Sequence, residues 1–145
     1  MTGPDRLNEL QLSVIVPCFN EELRVGPCLN EIKDYFKNSP ISAEILIVDD
    51  GSSDNTRGAA ASIIGIKNVL SHGKNVGKGA AIQTGILAAR GKYVLFTDAD
   101  GSTPIREVER LLPLMSEGCD ISIGSRARRT VGVFQYLETE SKWTK

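Results

Sequence analysis

Asp98-Ala99-Asp100 places two carboxylates two residues apart, directly after an apolar run from Lys92 to Thr97 (KYVLFT). Carboxylates at i and i+2, where a chain is leaving strand geometry, can converge on one hard divalent cation, directly or through water. Mg²⁺ or Mn²⁺ held this way keeps open positions for phosphate oxygens. Two bare carboxylates would repel a phosphate, and the cation reverses that local sign. The plain alternative is turn chemistry at Asp100-Gly101. Asp49-Asp50 follows another apolar run, Ile45 to Val48 (ILIV). Parallel α/β folds often hydrogen-bond a ribose or base at such a position. Asp-Asp-Gly-Ser-Ser-Asp is also rich in residues that bond their own backbone. A turn-and-cap role and a ligand role therefore stand side by side, one for each carboxylate.

The segment Gly73-Lys74-Asn75-Val76-Gly77-Lys78-Gly79 invites comparison with a phosphate loop, but only three residues separate Gly73 from Gly77 where that motif needs four. Gly79 also stands where the motif's hydroxyl should be, and Ile82 occupies the last glycine position of G-x-G-x-x-G. What remains is a basic loop, with Lys78, entering a helix N-terminus, a place suited to an anion. Arg126 follows Ile123-Gly124-Ser125, and its guanidinium there suits bidentate pairing with a diphosphate. Arg128 and Arg129 read as solvated charges. The single His72 reads as a polar residue near a strand end. Cys18, Cys28 and Cys119 are odd in number and form no C-x-x-C pair, which argues against a disulfide framework or a zinc site.

The elements that must position these residues alternate. Leu12 to Pro17 (LSVIVP) is the first predicted strand, and Gly26-Pro27 the predicted start of a helix carrying Cys28, Leu29, Ile32, Tyr35 and Phe36. Ser39-Pro40 ends it. After the second strand, Asp54 or Ser53 caps a short helix through Ile64. A weaker strand spans Asn68 to Ser71, and a helix runs from Gly77 to Arg90 with Gly91 at its C′ position. After the KYVLFT strand, Pro104 opens a helix with Val108, Leu111, Leu112 and Met115 inward. Asp120 to Gly124 (DISIG) is the last expected strand. Strands separated by helices pair in parallel through right-handed crossovers, in a sheet covered on both faces. Ligands then bind beyond the carboxyl ends of the strands. Asn20-Glu21, Asp49-Asp50, Asp98-Ala99-Asp100 and Ser125-Arg126 all fall at those ends.

The 145 residues suit one domain, and 41% hydrophobic with 24% charged residues argues against wholesale disorder. A formal net charge of −1 argues against a nucleic-acid binder with a broad basic surface. No apolar run suits a membrane span, and the polar N-terminus does not look like a signal peptide, so the expected location is cytoplasmic. The stretch from Arg126 to Lys145 holds five basic residues against two acidic ones and is not expected to form a further α/β unit.

Taken together, LSVIVPCFNEE, ILIVDDGSSDNT, GKNVGKGAAIQTGI, TDADGSTP and IGSRA resemble the family 2 GT-A glycosyltransferases. The likeness is strongest to the dolichyl-phosphate glucosyltransferase and polyprenyl-phosphate sugar synthase branch. The resemblance implies a GT-A, Rossmann-like α/β fold with a mostly parallel sheet and helices on both faces. It implies that Pro17, Phe19 and Glu21 line a nucleobase and ribose pocket, with Val48, Asp49 and Asp50 opposite. Lys78 joins this nucleotide-sugar set. Asp98 and Asp100 would hold Mg²⁺ or Mn²⁺ against the diphosphate, and Ala99 would touch the nucleotide through its backbone. Asp100 and Arg126 are the expected catalytic pair, stabilising the leaving group. The donor is UDP-glucose first and GDP-mannose next, and the acceptor a polyprenyl or dolichyl phosphate, with inversion at the anomeric carbon. A phosphate acceptor, with a second pKa of about 6, is largely ionised at neutral pH and needs no general base.

Family members continue well beyond IGSR, so the expectation is a truncated GT-A half. Residues 1–11 would form an N-terminal extension, 12–127 the nucleotide-sugar-binding half, and 128–145 a tail without a matching motif. Surfaces that later elements cover would favour self-association or a partner. The lipid acceptor implies a peripheral position on the cytoplasmic face of a membrane. Two other readings are a non-catalytic nucleotide-sugar-binding module and a nucleotidyltransferase.

Overall fold

A computed structural model of the chain describes residues 9–124. Four strands and four helices alternate: β1 (Leu12–Cys18), α1 (Glu22–Lys37), β2 (Ala43–Asp49), α2 (Thr56–Ile64), β3 (Val69–Ser71), α3 (Lys78–Ala88), β4 (Tyr93–Phe96) and α4 (Val108–Ser116). The strands form one sheet in the order β3-β2-β1-β4, with every pair parallel. Val14, Ile15, Val16, Ile47 and Val48 are wholly buried, which is why the sequence shows continuous apolar runs rather than alternation. Each such side chain contributes about 1.5–3 kcal/mol by leaving water.

The chain steps from β1 to β2 to β3 in one direction, with α1 and α2 packed on each other. Helix α3 then carries it back across β2 and β1 to β4. Right-handed crossovers place α3 on the face opposite α1 and α2. The strand order therefore reverses at β1, the position where an open α/β sheet leaves a crevice at its carboxyl edge. Close approach of α3 depends on Gly85, where a Cβ would stand 2.4 Å from Ile15 Cγ2.

Several boundaries differ from the sequence expectations. Helix α1 starts at Glu22, so Pro27 lies inside it rather than at its first position. The buried face of Val25, Cys28, Leu29 and Ile32 outweighs the one backbone hydrogen bond that proline removes. Helix α3 ends at Ala88, and Gly91 is not its C′ glycine. Gly91 instead lies against the β1 backbone, where a Cβ would fall 2.5 Å from the carbonyl carbon of Leu12. Asp120 to Gly124 forms no strand, and Ile121 and Ile123 are exposed. A strand exists only through its ladder, and this segment has none among the described residues.

The chain divides into two compact units, Met1–Ile105 and Arg106–Lys145. In the second, α4 buries Val108 while Leu111, Leu112 and Met115 are half-buried, and Pro113 sits within the helix.

Candidate functional site

A cleft of about 410 Å³ opens in the first unit at the carboxyl ends of β1, β2 and β4. Pro17 and Cys18 from β1, and Phe19 and Glu21 just after it, form one wall. Asp50 lies beyond β2, Asn75, Gly77, Lys78 and Ala81 come from α3 and the loop before it, and Asp98, Ala99 and Asp100 follow β4. Eight of the eleven site residues expected from sequence thus line one space. Arg126 lies outside the described residues.

Val48 and Asp49 do not line the cleft. Val48 is wholly buried in a cluster with Ile15 and Ala81, so any part it takes in ligand binding is left to its backbone. Asp49 is buried and turned onto its neighbours: its carboxylate accepts the Ser52 amide at 3.2 Å and the Ser71 hydroxyl at 3.2 Å. It takes the turn role, and Asp50 takes the place on the cleft.

Asp50 is held from three directions. Its Oδ1 accepts the Val76 amide at 3.0 Å and lies 2.6 Å from His72 Nδ1, while Oδ2 accepts the Gly77 amide at 2.7 Å. Burial alone would raise this carboxyl, but the hydrogen bonds from His72, Val76 and Gly77 outweigh it and hold the group below its ordinary range. Facing an ionised carboxylate, Nδ1 is the donor. Nε2 meets Thr84 Oγ1 at 2.9 Å, a hydroxyl able to serve either protonation state of the ring. The glycine-rich loop is therefore wrapped around Asp50. Gly51, at φ +73°, allows this approach, since a Cβ there would lie 2.4 Å from the backbone of Lys74.

The loop after β1 is set by ties to the loop after β2. Asn20 takes a left-handed conformation, φ 55°, which asparagine tolerates. Its amide donates to Ser52 Oγ at 2.9 Å, and its side-chain oxygen accepts the Ser53 amide at 2.9 Å. The amides of Glu21 and Glu22 donate to Thr56 Oγ1 at 2.8 Å and Asp54 Oδ2 at 3.2 Å. The N-terminus of α1 is thereby capped from the start of α2, while Asp54 Oδ1 also accepts the Thr56 amide at 3.0 Å. Glu21 Oε2 sits 2.5 Å from Arg24 Nε, an ion-pair contact without hydrogen-bond geometry.

At the other end of the cleft, Lys78 Nζ lies 2.5 Å from Asp98 Oδ1, and Asp100 Oδ1 accepts the Ser102 amide at 2.8 Å. Among the described residues no group of three or more His, Cys, Asp or Glu side chains could cage a metal. Two hard carboxylates on one cleft nevertheless suit Mg²⁺ or Mn²⁺, which commonly take one or two protein carboxylates and complete their shell with phosphate oxygens and water. The donor set at Asp98 and Asp100 fits such an ion.

Arg24, Asn75, Gly77, Ala81 and Cys18 line the cleft without having been expected there. Arg24 carried a usable signal: it stands one helical turn from Glu21, on a helix opening at the ligand edge.

The profile of the family described as Glycosyl transferase family 2 matches residues 13–144. The dolichyl-phosphate beta-glucosyltransferase of Dictyostelium discoideum is 37% identical over 135 residues, covering 83% of this chain and 41% of that protein. The protein of the same name from Homo sapiens is 40% identical over 116 residues, covering 70% of this chain and 34% of its own length. The chain thus spans about a third to two fifths of the curated relatives it matches. Among solved structures, Mycobacterium tuberculosis glucosyl-3-phosphoglycerate synthase, in complex with Mn²⁺, UDP-glucose and phosphoglyceric acid, superposes with a TM-score of 0.62 at 25% identity, over 77% of this chain and 41% of that one. A mannosyltransferase from Pyrobaculum calidifontis, in complex with GDP-mannose and Mn²⁺, gives 0.55 at 25% identity, over 74% and 32%. The parallel sheet with helices on both faces is the GT-A fold of these neighbours, and with its profile match and relatives above 30% identity, the chain belongs to glycosyl transferase family 2.

Proposed function

We propose that this chain forms the donor-binding half of a glycosyltransferase that moves a hexose from a nucleotide sugar to a polyprenyl or dolichyl phosphate with inversion. UDP-glucose is the favoured donor and GDP-mannose the next. The observation that carries the reading is the convergence of Pro17, Phe19, Glu21, Asp50, Lys78 and the Asp98-Ala99-Asp100 segment on one cleft. The relatives named dolichyl-phosphate beta-glucosyltransferase support glucose and a lipid phosphate as the transferred group and acceptor.

In this reading Pro17, Phe19, Glu21 and Asp50 receive the base and ribose, and Lys78 the diphosphate. Asp98 and Asp100 hold Mg²⁺ or Mn²⁺, with the Ala99 backbone against the nucleotide. A divalent cation there supplies charge neutralisation for the departing nucleoside diphosphate. Arg126 adds a guanidinium for the diphosphate or the lipid phosphate. The acceptor phosphate is already anionic, so no side chain is needed to remove a proton from it. A lipid acceptor places the reaction at a membrane surface, on the cytoplasmic face. No described helix is long and apolar enough to cross that membrane.

Calorimetric titration with UDP-glucose and GDP-mannose, each with and without Mn²⁺, tests the proposal. The expected result is metal-dependent binding of UDP-glucose that Asp98→Asn abolishes. Equal binding with and without metal, unchanged in the variant, overturns it. Pyrophosphate released from a nucleoside triphosphate would instead indicate a nucleotidyltransferase.

A further inference from the structure

Lys78 opens α3, and its ammonium lies on Asp98, one of the two carboxylates assigned above to a divalent cation. Their side chains are 58% and 48% exposed, so neither is locked in place by burial. The ion pair bridges the first residue of α3 and the loop after β4, across the cleft that would receive a diphosphate. A lysine stem is long and flexible and its ammonium compact, so it can transfer from one anion to another nearby.

We infer that Lys78 is a placeholder cation for Asp98. Without donor, its ammonium balances the carboxylate and competes with a divalent ion for Oδ1. A nucleoside diphosphate entering the cleft offers Lys78 a second anion and frees Asp98 for the ion. Donor and metal thereby bind with positive coupling, and linkage makes the coupling reciprocal. The inference rests on the metal reading of Asp98 and adds an order to it: metal alone binds weakly, and donor strengthens it. The same exchange keeps Asp98 from standing as a bare negative charge in the path of an incoming phosphate.

The test is Mn²⁺ binding, read from the electron paramagnetic resonance of free Mn²⁺ titrated into the chain, with and without UDP. Lys78→Gln is expected to tighten Mn²⁺ binding in the absence of UDP by about two- to fivefold, the scale of an exposed ion pair. The factor by which UDP improves Mn²⁺ affinity should shrink at least as much. Lys78→Arg should retain the coupling. Lys74→Gln makes the same change in net charge in the loop just before α3, but Lys74 is not the lysine on Asp98, and it should leave Mn²⁺ affinity unchanged. Equal effects of Lys78→Gln and Lys74→Gln, or no tightening by Lys78→Gln, overturn the placeholder while leaving the metal site standing if Asp98→Asn still weakens Mn²⁺. If Asp98→Asn leaves Mn²⁺ binding at the wild-type level, the metal reading and the placeholder fall together. Circular dichroism on each variant confirms that the fold is intact.

Discussion

Asp50 Oδ1 and His72 Nδ1 lie 2.6 Å apart, and through this contact the one histidine of the chain joins the end of β2 to α3. The ring's other nitrogen reaches Thr84, on the helix that Lys78 opens. Asp50 meanwhile accepts the amides of Val76 and Gly77 just before that helix. One carboxylate thus organises the loop, the helix entry and its own face on the cleft, so its charge should matter to stability as well as to binding.

Replacing Asp50 by Asn should lower stability at pH 7 by about 1–3 kcal/mol, since charge-assisted bonds to the ring and two amides become neutral ones. The folded carboxyl lies below its unfolded value of about 3.9. Its stabilising contribution is therefore complete above that value and fades as pH falls through the folded one. Urea midpoints of wild type and Asp50→Asn should accordingly keep a constant gap from pH 7 down to about pH 4 and draw together below it. A gap that stays the same size as pH falls from about 4 to 3 and below would show that the charge of Asp50 contributes nothing.

Gly85→Ala tests how closely α3 must approach β1. Alanine is the better helix former by about 1 kcal/mol, but its Cβ would lie 2.4 Å from Ile15 Cγ2, and Ile15 is wholly buried. Overpacking should outweigh propensity and leave a net loss of about 1–2 kcal/mol. In an Ile15→Ala background the same change should cost less, because the obstructing branch is gone. Additive losses in that double-mutant cycle would contradict the contact.

The three thiols should differ in reactivity. Burial pushes the Cys28 thiol up to about 11, with Glu31, Asp100 and Glu21 adding to the effect. Burial raises Cys18 further still. Only thiolate reacts at an appreciable rate, and Cys119 is the least buried of the three. Iodoacetamide at pH 7.5 should therefore label Cys119 first and leave Cys18 and Cys28 unlabelled until the chain unfolds. Peptide mass mapping over time would show the order, and early labelling of Cys18 would contradict its burial.

The sequence carried the parts of this architecture that depend on local pattern. LSVIVP and ILIV became β1 and β2 because continuous burial needs continuous apolarity, whereas KYVLFT became β4 with Val94 and Phe96 exposed, and the acidic pairs fell at strand ends as expected. It was less informative where the decisive partner is distant in the chain. Helix α1 begins five residues before Pro27 because its first amides find Thr56 and Asp54, more than thirty positions away. Asp49 and Asp50 are adjacent and chemically identical, so only the fold could decide which faces the cleft. His72 read as an incidental polar residue because Asp50 and Thr84 flank it only in three dimensions. DISIG reads as a strand in sequence, but a local pattern cannot supply the neighbour that a ladder requires, and among the described residues it has none.

Phe19 and Asp98 should separate the two ends of the donor. Phe19 lies at the cleft with its ring about half exposed, at the end that the proposed function gives to the base. Asp98 lies at the end given to the diphosphate. Stacking against an aromatic ring is worth about 0.5–1.5 kcal/mol beyond simple burial. Phe19→Ala should thus weaken UDP-glucose binding by about two- to tenfold, with and without Mn²⁺ alike. The ratio of the two affinities would then stay at its wild-type value. Asp98→Asn should do the reverse, driving that ratio toward one while leaving the metal-free affinity little changed. If Phe19→Ala instead altered the metal dependence, the base and the diphosphate could not lie at the two ends assigned to them, and the orientation of the donor in the cleft would have to be turned around.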